Sequence, residues 1–104
     1  MSKPCLEIVV YNVTTTQDAA AARRAIMPVV KTFPGFISWR AYRQADGNPV
    51  FADCLEWASL AEAQAASEAF AKDPRMAPFM QTISGLITMS HLELEAQEEA
   101  QKAA

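Results

Sequence analysis

The sequence is poor in the residues that most metal and cofactor sites require. Its 104 residues include one histidine, two cysteines and three glycines. Cys5, Cys54 and His91 do not have the spacing of a metal site, and the sequence has neither a glycine-rich phosphate loop nor a dinucleotide-binding fingerprint. We therefore predict that the protein binds no metal ion and no organic cofactor tightly.

The scarcity of cysteines, of clustered basic residues and of long apolar runs also restricts location and partners. Two cysteines do not make the disulfide-dense pattern of a small secreted domain. The first four residues lead directly into a strand pattern, with no signal-peptide core and no apolar run of membrane-spanning length. Nine scattered basic residues and a net charge of −3 argue against a nucleic-acid surface. We expect a soluble cytoplasmic protein that contacts neither membranes nor nucleic acid.

Apolar residues are abundant for a chain of this length. They make up 51% of the sequence, whereas charged residues make up only 20%, which is more apolar than a small monomer needs. A chain of this length forms one domain with one core. We place that domain at residues 1–95 and a polar tail at residues 96–104.

The order of the hydrophobic periodicities predicts the fold class. Strands are predicted near 6–11, 36–43, 50–57 and 86–94. Helices begin near Gln17 and after Ser59, and a further short helix is predicted within 75–84. An Asp-Gly turn at 45–48 joins the middle strands as a hairpin. The order β-α-β-β-α-β is that of a ferredoxin-like α+β unit, and right-handed crossovers give the strand order 4-1-3-2.

The predicted sheet has more apolar surface than two helices can cover. Large apolar residues stand at both parities of three strands, as in the pairs Leu6 and Val9, or Leu86 and Ile87. Two helices cover only one face of a four-stranded antiparallel sheet, and the other face would remain an apolar association surface. A two-fold dimer that places sheet against sheet would bury it. We therefore predict a homodimer through this sheet face.

Asp53 is the strongest candidate for a catalytic base. It lies on the third strand between Phe51 and Leu55, which share its side of the strand. Burial among apolar side chains raises the pKa of a carboxyl group towards the range of a useful base. The alternative is structural, because an ion pair between Asp53 and Arg40 or Arg43 on the adjoining strand would also perturb the pKa.

His91 and several large side chains complete the candidate site. His91 is the only histidine of the sequence, and histidine is the residue type suited to proton transfer near neutral pH. We predict it as a second proton-handling group; the alternative is a wall residue of a strand. Other side chains could stack on an aromatic substrate or bind a phenolate or carboxylate. The predicted substrate-binding residues are Tyr11, Trp39, Arg40, Trp57 and Phe79. Each has an alternative in the core or in a cross-strand pair.

Short motifs along residues 6–94 resemble those of the antibiotic biosynthesis monooxygenase family. They are Pro34-Gly35-Phe36, the Asp46-Gly47 hairpin, Trp57 at the end of the third strand, Asp73-Pro74-Arg75 and Gly85-Leu86. The resemblance implies a ferredoxin-like subunit that dimerises into an α/β barrel, with a pocket between sheet and helices. Enzymes of the family oxidise polyketide phenols to quinones with O2 and without metal or flavin. The same fold also hosts haem degraders, isomerases and proteins of no known activity.

The functional positions of that family are only partly kept. The resemblance places Asp53 where quinone-forming members have a substrate-holding Asn, four residues before the retained Trp57. Ala63 stands where those members have a Tyr that donates a proton. The positions of the helix Trp and the iron-ligating His of the haem degraders fall near Ala66 and Phe79. The resemblance therefore implies no haem ligation by histidine.

Three functions from different classes remain open. The first is a cofactor-independent monooxygenase of a small aromatic or polyketide-like substrate, the second a non-oxidative enzyme such as an isomerase or decarboxylase, and the third a non-catalytic binding or structural dimer. If Asp53 and His91 face one pocket within reach of a common substrate atom, the enzyme hypotheses gain. An Asp53 locked to an arginine beside a closed pocket would favour the third.

Overall fold

The computed structural model describes residues 3–101 and confirms the predicted ferredoxin-like fold. The strands are β1 (Cys5–Val13), β2 (Phe36–Arg43), β3 (Val50–Trp57) and β4 (Ile83–Leu92). The helices are α1 (Thr16–Val30), α2 (Leu60–Lys72) and α3 (Ala77–Met80), with a 3-10 turn at Pro74–Met76 before α3. Residues 93–101 form neither helix nor strand. Within residues 3–101, no helix is long and apolar enough to cross a membrane.

The four strands form one antiparallel sheet in the order β2-β3-β1-β4. This is the order predicted from two right-handed crossovers. The bounds of β2 and β3 agree with the sequence pattern, whereas β4 begins three residues before its predicted start at Leu86. The two central strands, β1 and β3, are therefore the ones whose side chains reach the middle of the fold.

Side-chain hydroxyl groups cap the N-termini of both long helices. The Thr15 hydroxyl accepts a hydrogen bond from the Asp18 amide at 3.3 Å, and the Ser59 hydroxyl accepts one from the Glu62 amide at 3.2 Å. Ser59 also donates to the Glu62 carboxylate at 3.2 Å. These contacts satisfy amide groups that the first helical turn leaves without partners, and they confirm the predicted start of α2 after Ser59.

Alternate residues of β1 and β3 face the helices and form the core. The buried members are Cys5, Glu7, Tyr11 and Val13 in β1, and Phe51, Asp53, Leu55 and Trp57 in β3. From the helices, the buried residues include Ala19, Ile26, Val30, Ala63 and Ala66. Each central strand thus places one carboxyl group on the helix-covered face.

The residues of opposite parity lie on the second face of the sheet, away from the helices. Leu6, Ile8 and Val10 are half-buried there, and Tyr42 and Leu92 are 49% and 44% exposed. The strand register sets Leu92 opposite Leu6 and so on the same face. The sheet has the apolar second face that the sequence pattern predicts, and the dimer through it stays a prediction.

Gly35→Ala and Gly47→Ala form a matched pair that tests the start of α2. Both glycines have positive φ, at 82° and 87°, where an alanine costs about 1–2 kcal/mol. A Cβ at Gly35 would also collide with the Glu62 side chain, whereas a Cβ at Gly47 would meet nothing within 4 Å. In urea unfolding we expect Gly47→Ala to lose about 1–2 kcal/mol and Gly35→Ala to lose more. Equal losses would contradict the contact with Glu62.

Candidate functional site

A cavity of about 320 Å³ lies between the sheet and the helices. Its wall is largely aromatic, from Phe33, Trp39, Trp57, Phe70 and Phe79. Three further apolar side chains that line it, Met80, Leu86 and Met89, are partly exposed and mark its opening to solvent. The residues with a formal charge in the lining are Glu7 and Asp53. An apolar enclosure with a few polar groups is the usual form of a small-molecule site.

Asp53 accepts hydrogen bonds at both of its carboxylate oxygens. The Tyr11 hydroxyl donates to Oδ2 at 2.7 Å, and the indole of Trp39 donates to Oδ1 at 3.1 Å. Arg23 of α1 donates to the same Oδ1 at 3.1 Å and forms a buried ion pair with it. The four side chains form one network, of which Tyr11, Trp39 and Asp53 line the cavity.

Arg23 is held by more than its carboxylate partner. Its guanidinium donates to the backbone carbonyl of Tyr42 at 3.2 Å and stacks 4.0 Å above the ring centroid of Phe51. The Tyr11 hydroxyl lies 3.5 Å from the same guanidinium nitrogen. Because Arg23 is buried and surrounded by these groups, its charge is used inside the network and is not free to bind a ligand.

The arginine partner of Asp53 differs from the one that the sequence suggested. An uninterrupted register from the pair Phe36 and Trp57 would place Arg40 beside Asp53. The observed pairing shifts by one residue between Phe36 and Ser38, so that Arg40 pairs with Cys54. A one-residue shift moves every following side chain to the other face of the sheet. The proposed ion pair of Asp53 with Arg40 is therefore wrong, and Arg40 is not among the residues that line the cavity.

The same shift brings Trp39 into the site. Trp39 pairs with Leu55 and lines the cavity, with its indole nitrogen on Asp53. Arg43, the other proposed partner of Asp53, pairs with Phe51 at the end of β2 and is exposed. The bulge therefore places an aromatic hydrogen-bond donor, and not a cation, at the cavity wall.

Burial and hydrogen bonding act in opposite directions on the network. Burial raises the pKa of Asp53, and the donors Tyr11, Trp39 and Arg23 oppose this rise. The pKa of Tyr11 is raised, first by burial and then by the negative charge of Asp53. Tyr11 is therefore a neutral hydrogen-bond donor at neutral pH, and Asp53 is its acceptor.

Glu7 is a second buried carboxyl group, which the sequence interpretation did not select. Its Oε1 accepts a hydrogen bond from the indole of Trp57 at 2.9 Å. Its Oε2 lies 4.0 Å from Nε2 of His91, which faces Glu7 across the β1–β4 pair. Burial raises the pKa of Glu7, the negative charge of Asp53 adds to the rise, and Trp57 and His91 oppose it.

The predicted site residues divide between the cavity and its surroundings. Asp53, Tyr11, Trp39, Trp57 and Phe79 line the cavity. His91 does not line it but lies against Glu7, which does. Two positions taken from the resemblance, Ala63 and Ala66, are buried in α2, and Ala66 lines the cavity. Asp53 therefore faces the cavity itself, whereas His91 contacts a different lining residue, Glu7.

Residues 3–101 bring together no group of three or more His, Cys, Asp and Glu side chains with metal-binding geometry. Cys5 is buried at the start of β1, and Cys54 lies on the other face of the sheet, opposite Arg40.

No protein-family model matches this sequence, and a search of the curated proteins gives no match. Solved structures match its fold closely. A Bordetella bronchiseptica protein provisionally assigned as an antibiotic biosynthesis monooxygenase is 10% identical, with a TM-score of 0.79 over 91% of this chain and 100% of that one. SnoaB, a cofactor-independent oxygenase from Streptomyces nogalater, is 11% identical, with a TM-score of 0.70 over 97% and 100%.

A third structure shows how widely this architecture occurs. A conserved protein from Methanosarcina mazei Go1 is 7% identical, with a TM-score of 0.73 over 89% of this chain and 94% of that one. The chain therefore has the fold of the antibiotic biosynthesis monooxygenase structures. At these identities the likeness establishes the fold and not the activity.

Proposed function

We propose that this protein, which has the fold of the antibiotic biosynthesis monooxygenase structures, oxidises a small hydroxyarene to a quinone with O2 and without a cofactor. The observation that supports this most is the cavity itself. It has an aromatic wall, an opening to solvent and two carboxyl groups with raised pKa values. SnoaB shares the fold and is a cofactor-independent oxygenase.

The chemistry requires a base in an apolar enclosure. Ground-state O2 is a triplet and reacts slowly with closed-shell molecules, but an aromatic ring that has lost its hydroxyl proton becomes an electron-rich anion. A carboxylate whose pKa is raised by burial is a suitable acceptor for that proton. The apolar wall excludes water and holds the ring flat against aromatic side chains.

The overall reaction balances without another reductant. The anion gives electrons to O2, and a C–O bond forms at the carbon opposite the original oxygen. The resulting peroxide takes back the proton held by the carboxyl group and becomes a hydroperoxide. Cleavage of the O–O bond and loss of the hydrogen on that carbon give the quinone, and the second oxygen atom leaves as water. The substrate loses four electrons and O2 accepts four.

The direct test uses 1-naphthol as the probe. Oxygen consumption and formation of 1,4-naphthoquinone are measured together with the purified protein, and labelled O2 locates each oxygen atom. We expect one O2 per quinone, with one labelled atom in the quinone and one in water. Absence of oxygen uptake would contradict the oxygenase function. Binding without uptake would favour the non-oxidative alternative, an isomerase or decarboxylase.

Filling the cavity should weaken ligand binding. Ala66 lines the cavity on α2, and the adjacent Ala65 is exposed, so that Ala66→Leu and Ala65→Leu form a matched pair. We expect Ala66→Leu to weaken 1-naphthol binding by about tenfold or more, or ~1.4 kcal/mol, because added side-chain volume displaces the ligand. Ala65→Leu should bind as the wild type does. Equal binding by all three proteins would place the ligand elsewhere.

We also propose that the protein is a homodimer through the second face of its sheet. Leu6, Ile8 and Val10 of a central strand lie half-buried there, and an isologous contact would remove them from water. Sedimentation at micromolar concentration should give twice the chain mass of 11.4 kDa. Ile8→Lys should give the monomer mass, since it places a charge in the interface. A monomeric wild type would contradict this assembly.

A further inference from the structure

We infer that Glu7, and not Asp53, accepts the ligand's hydroxyl proton, and that the cavity selects a neutral hydroxyl-bearing ligand over an anion of the same size. The inference rests on the proposed function for the location of the ligand. It adds the identity of the proton acceptor and the charge of the substrate.

The two carboxyl groups differ in the number of hydrogen bonds that their oxygens accept. Asp53 accepts from Tyr11, Trp39 and Arg23, with bonds at both of its oxygens. Glu7 accepts from Trp57 at Oε1, and the hydrogen bonds among residues 3–101 leave its Oε2 without a donor. Asp53 already accepts three of the about four hydrogen bonds that a carboxylate can accept, whereas Glu7 accepts one and has an oxygen with none.

The charges around the cavity determine which ligands it can hold. Among the described residues that line it, those with a formal charge are Glu7 and Asp53, and neither Lys nor Arg is among them. Arg23, the cation of the Asp53 network, is buried and already bonded to Asp53 and to the Tyr42 carbonyl. An anionic ligand would face carboxylates in an apolar enclosure without a free cation, and this costs binding free energy.

His91 provides a contact between Glu7 and the protein surface. Its Nε2 is buried and has no hydrogen-bond partner among residues 3–101, and it lies 4.0 Å from Oε2 of Glu7. About a fifth of the His91 side chain, 20%, is exposed. A small rotation of either side chain would bring Nε2 and Oε2 within hydrogen-bond distance, so that His91 would hold the Glu7 carboxyl group in place. His91 acts through Glu7 and is a positioning residue.

The groups that face Glu7 come from two neighbouring strands. Trp57 and Asp53 lie on β3, and His91 lies on β4. Asp53 raises the pKa of Glu7, whereas Trp57 and His91 lower it. In carbon-13 NMR of the carboxyl groups, His91→Gln should therefore move the Glu7 titration to higher pH. A merely structural His91 would leave that titration unchanged.

The decisive experiment compares 1-naphthol with 1-naphthoate, which share a ring system but differ in charge at pH 7. Binding to each is measured by calorimetry for the wild type, for Glu7→Gln and for Glu56→Gln. Glu56 lies on β3 at the opposite parity to Asp53, so Glu56→Gln makes the same change outside the cavity. We expect the wild type to prefer 1-naphthol by at least about tenfold, and Glu7→Gln to reduce that preference by about tenfold.

Each result bears on the inference independently of turnover. Equal affinity of the wild type for both probes, or no binding of either, would overturn it. An unchanged preference in Glu7→Gln would overturn it as well, and so would an equal loss in Glu56→Gln. If the preference behaves as expected but no O2 is consumed, the proton acceptor stands and the oxygenase function fails.

Discussion

Asp53→Ala is expected to lower the free energy of unfolding by about 3–5 kcal/mol. The substitution leaves the buried guanidinium of Arg23 without its carboxylate partner and leaves Tyr11 and Trp39 without an acceptor. Small domains have a total stability of roughly 5–15 kcal/mol, so this is a large fraction of it. Urea unfolding followed by circular dichroism would measure the loss.

A double substitution distinguishes the contribution of the ion pair to stability from the effect of lost side-chain volume. Arg23→Met with Asp53→Leu replaces both charges with apolar side chains, and we expect it to be less destabilising than Asp53→Ala alone. A coupling energy of about 1–3 kcal/mol between the two sites would follow. If the effects of the single substitutions at Arg23 and Asp53 were additive, the two side chains would not stabilise the fold as a pair.

Glu7→Gln is expected to lower the turnover of 1-naphthol by about 10²–10⁴-fold, the usual contribution of a positioned general base. The amide keeps the size of the side chain and an oxygen for the Trp57 indole, but it cannot take a proton. Glu56→Gln is the matched control and should retain the wild-type rate. Full activity in Glu7→Gln would show that another group is the base.

Although Glu7→Gln should lower turnover, we expect it to raise the free energy of unfolding at neutral pH. Burial raises the pKa of Glu7 above its ordinary value of 4.5, so the folded state binds this proton more tightly than the unfolded state does. The carboxylate therefore disfavours folding at neutral pH, and its cost disappears as the pH falls below that value. We expect Glu7→Gln to be more stable than the wild type at pH 7, with the difference vanishing near pH 4. A less stable Glu7→Gln would contradict a desolvated carboxylate.

Local periodicity was sufficient to predict the frame that holds the site. The alternation in β3, the Asp-Gly turn before it and the capping residue Ser59 are short-range signals, and the structure has each feature where the sequence indicates it. The strand order follows from the handedness of two crossovers, which depends on the order of the elements alone.

The register of β2 could not be predicted in the same way. A bulge has no signature in the alternation of Phe36, Ser38 and Arg40, yet it decides which of Trp39 and Arg40 lies beside the cavity. The adjoining strand suggested Arg40 or Arg43 as the partner of Asp53, whereas the observed partner, Arg23, lies on α1.

The periodicity of the sequence indicates that Arg23 and Glu7 are buried, although both are charged. Arg23 stands at the spacing of Ala19, Ile26 and Val30 along α1, so the helical period places it on the buried face. Glu7 shares the parity of Cys5, Val9, Tyr11 and Val13 in β1, and none of these carries a charge. A charged residue at a core position is costly unless it is paired, and each such position is therefore a candidate for a network or a reactive group.

A crystal structure with 1-naphthol bound would test the central claim most directly. The account predicts the ring inside the cavity against the aromatic wall, with the hydroxyl oxygen about 2.6–3.2 Å from Oε2 of Glu7 and with the bonds of Asp53 to Arg23, Tyr11 and Trp39 unchanged. A hydroxyl bonded to Asp53 after displacement of one of those donors, or a ring seated on the second face of the sheet, would contradict it.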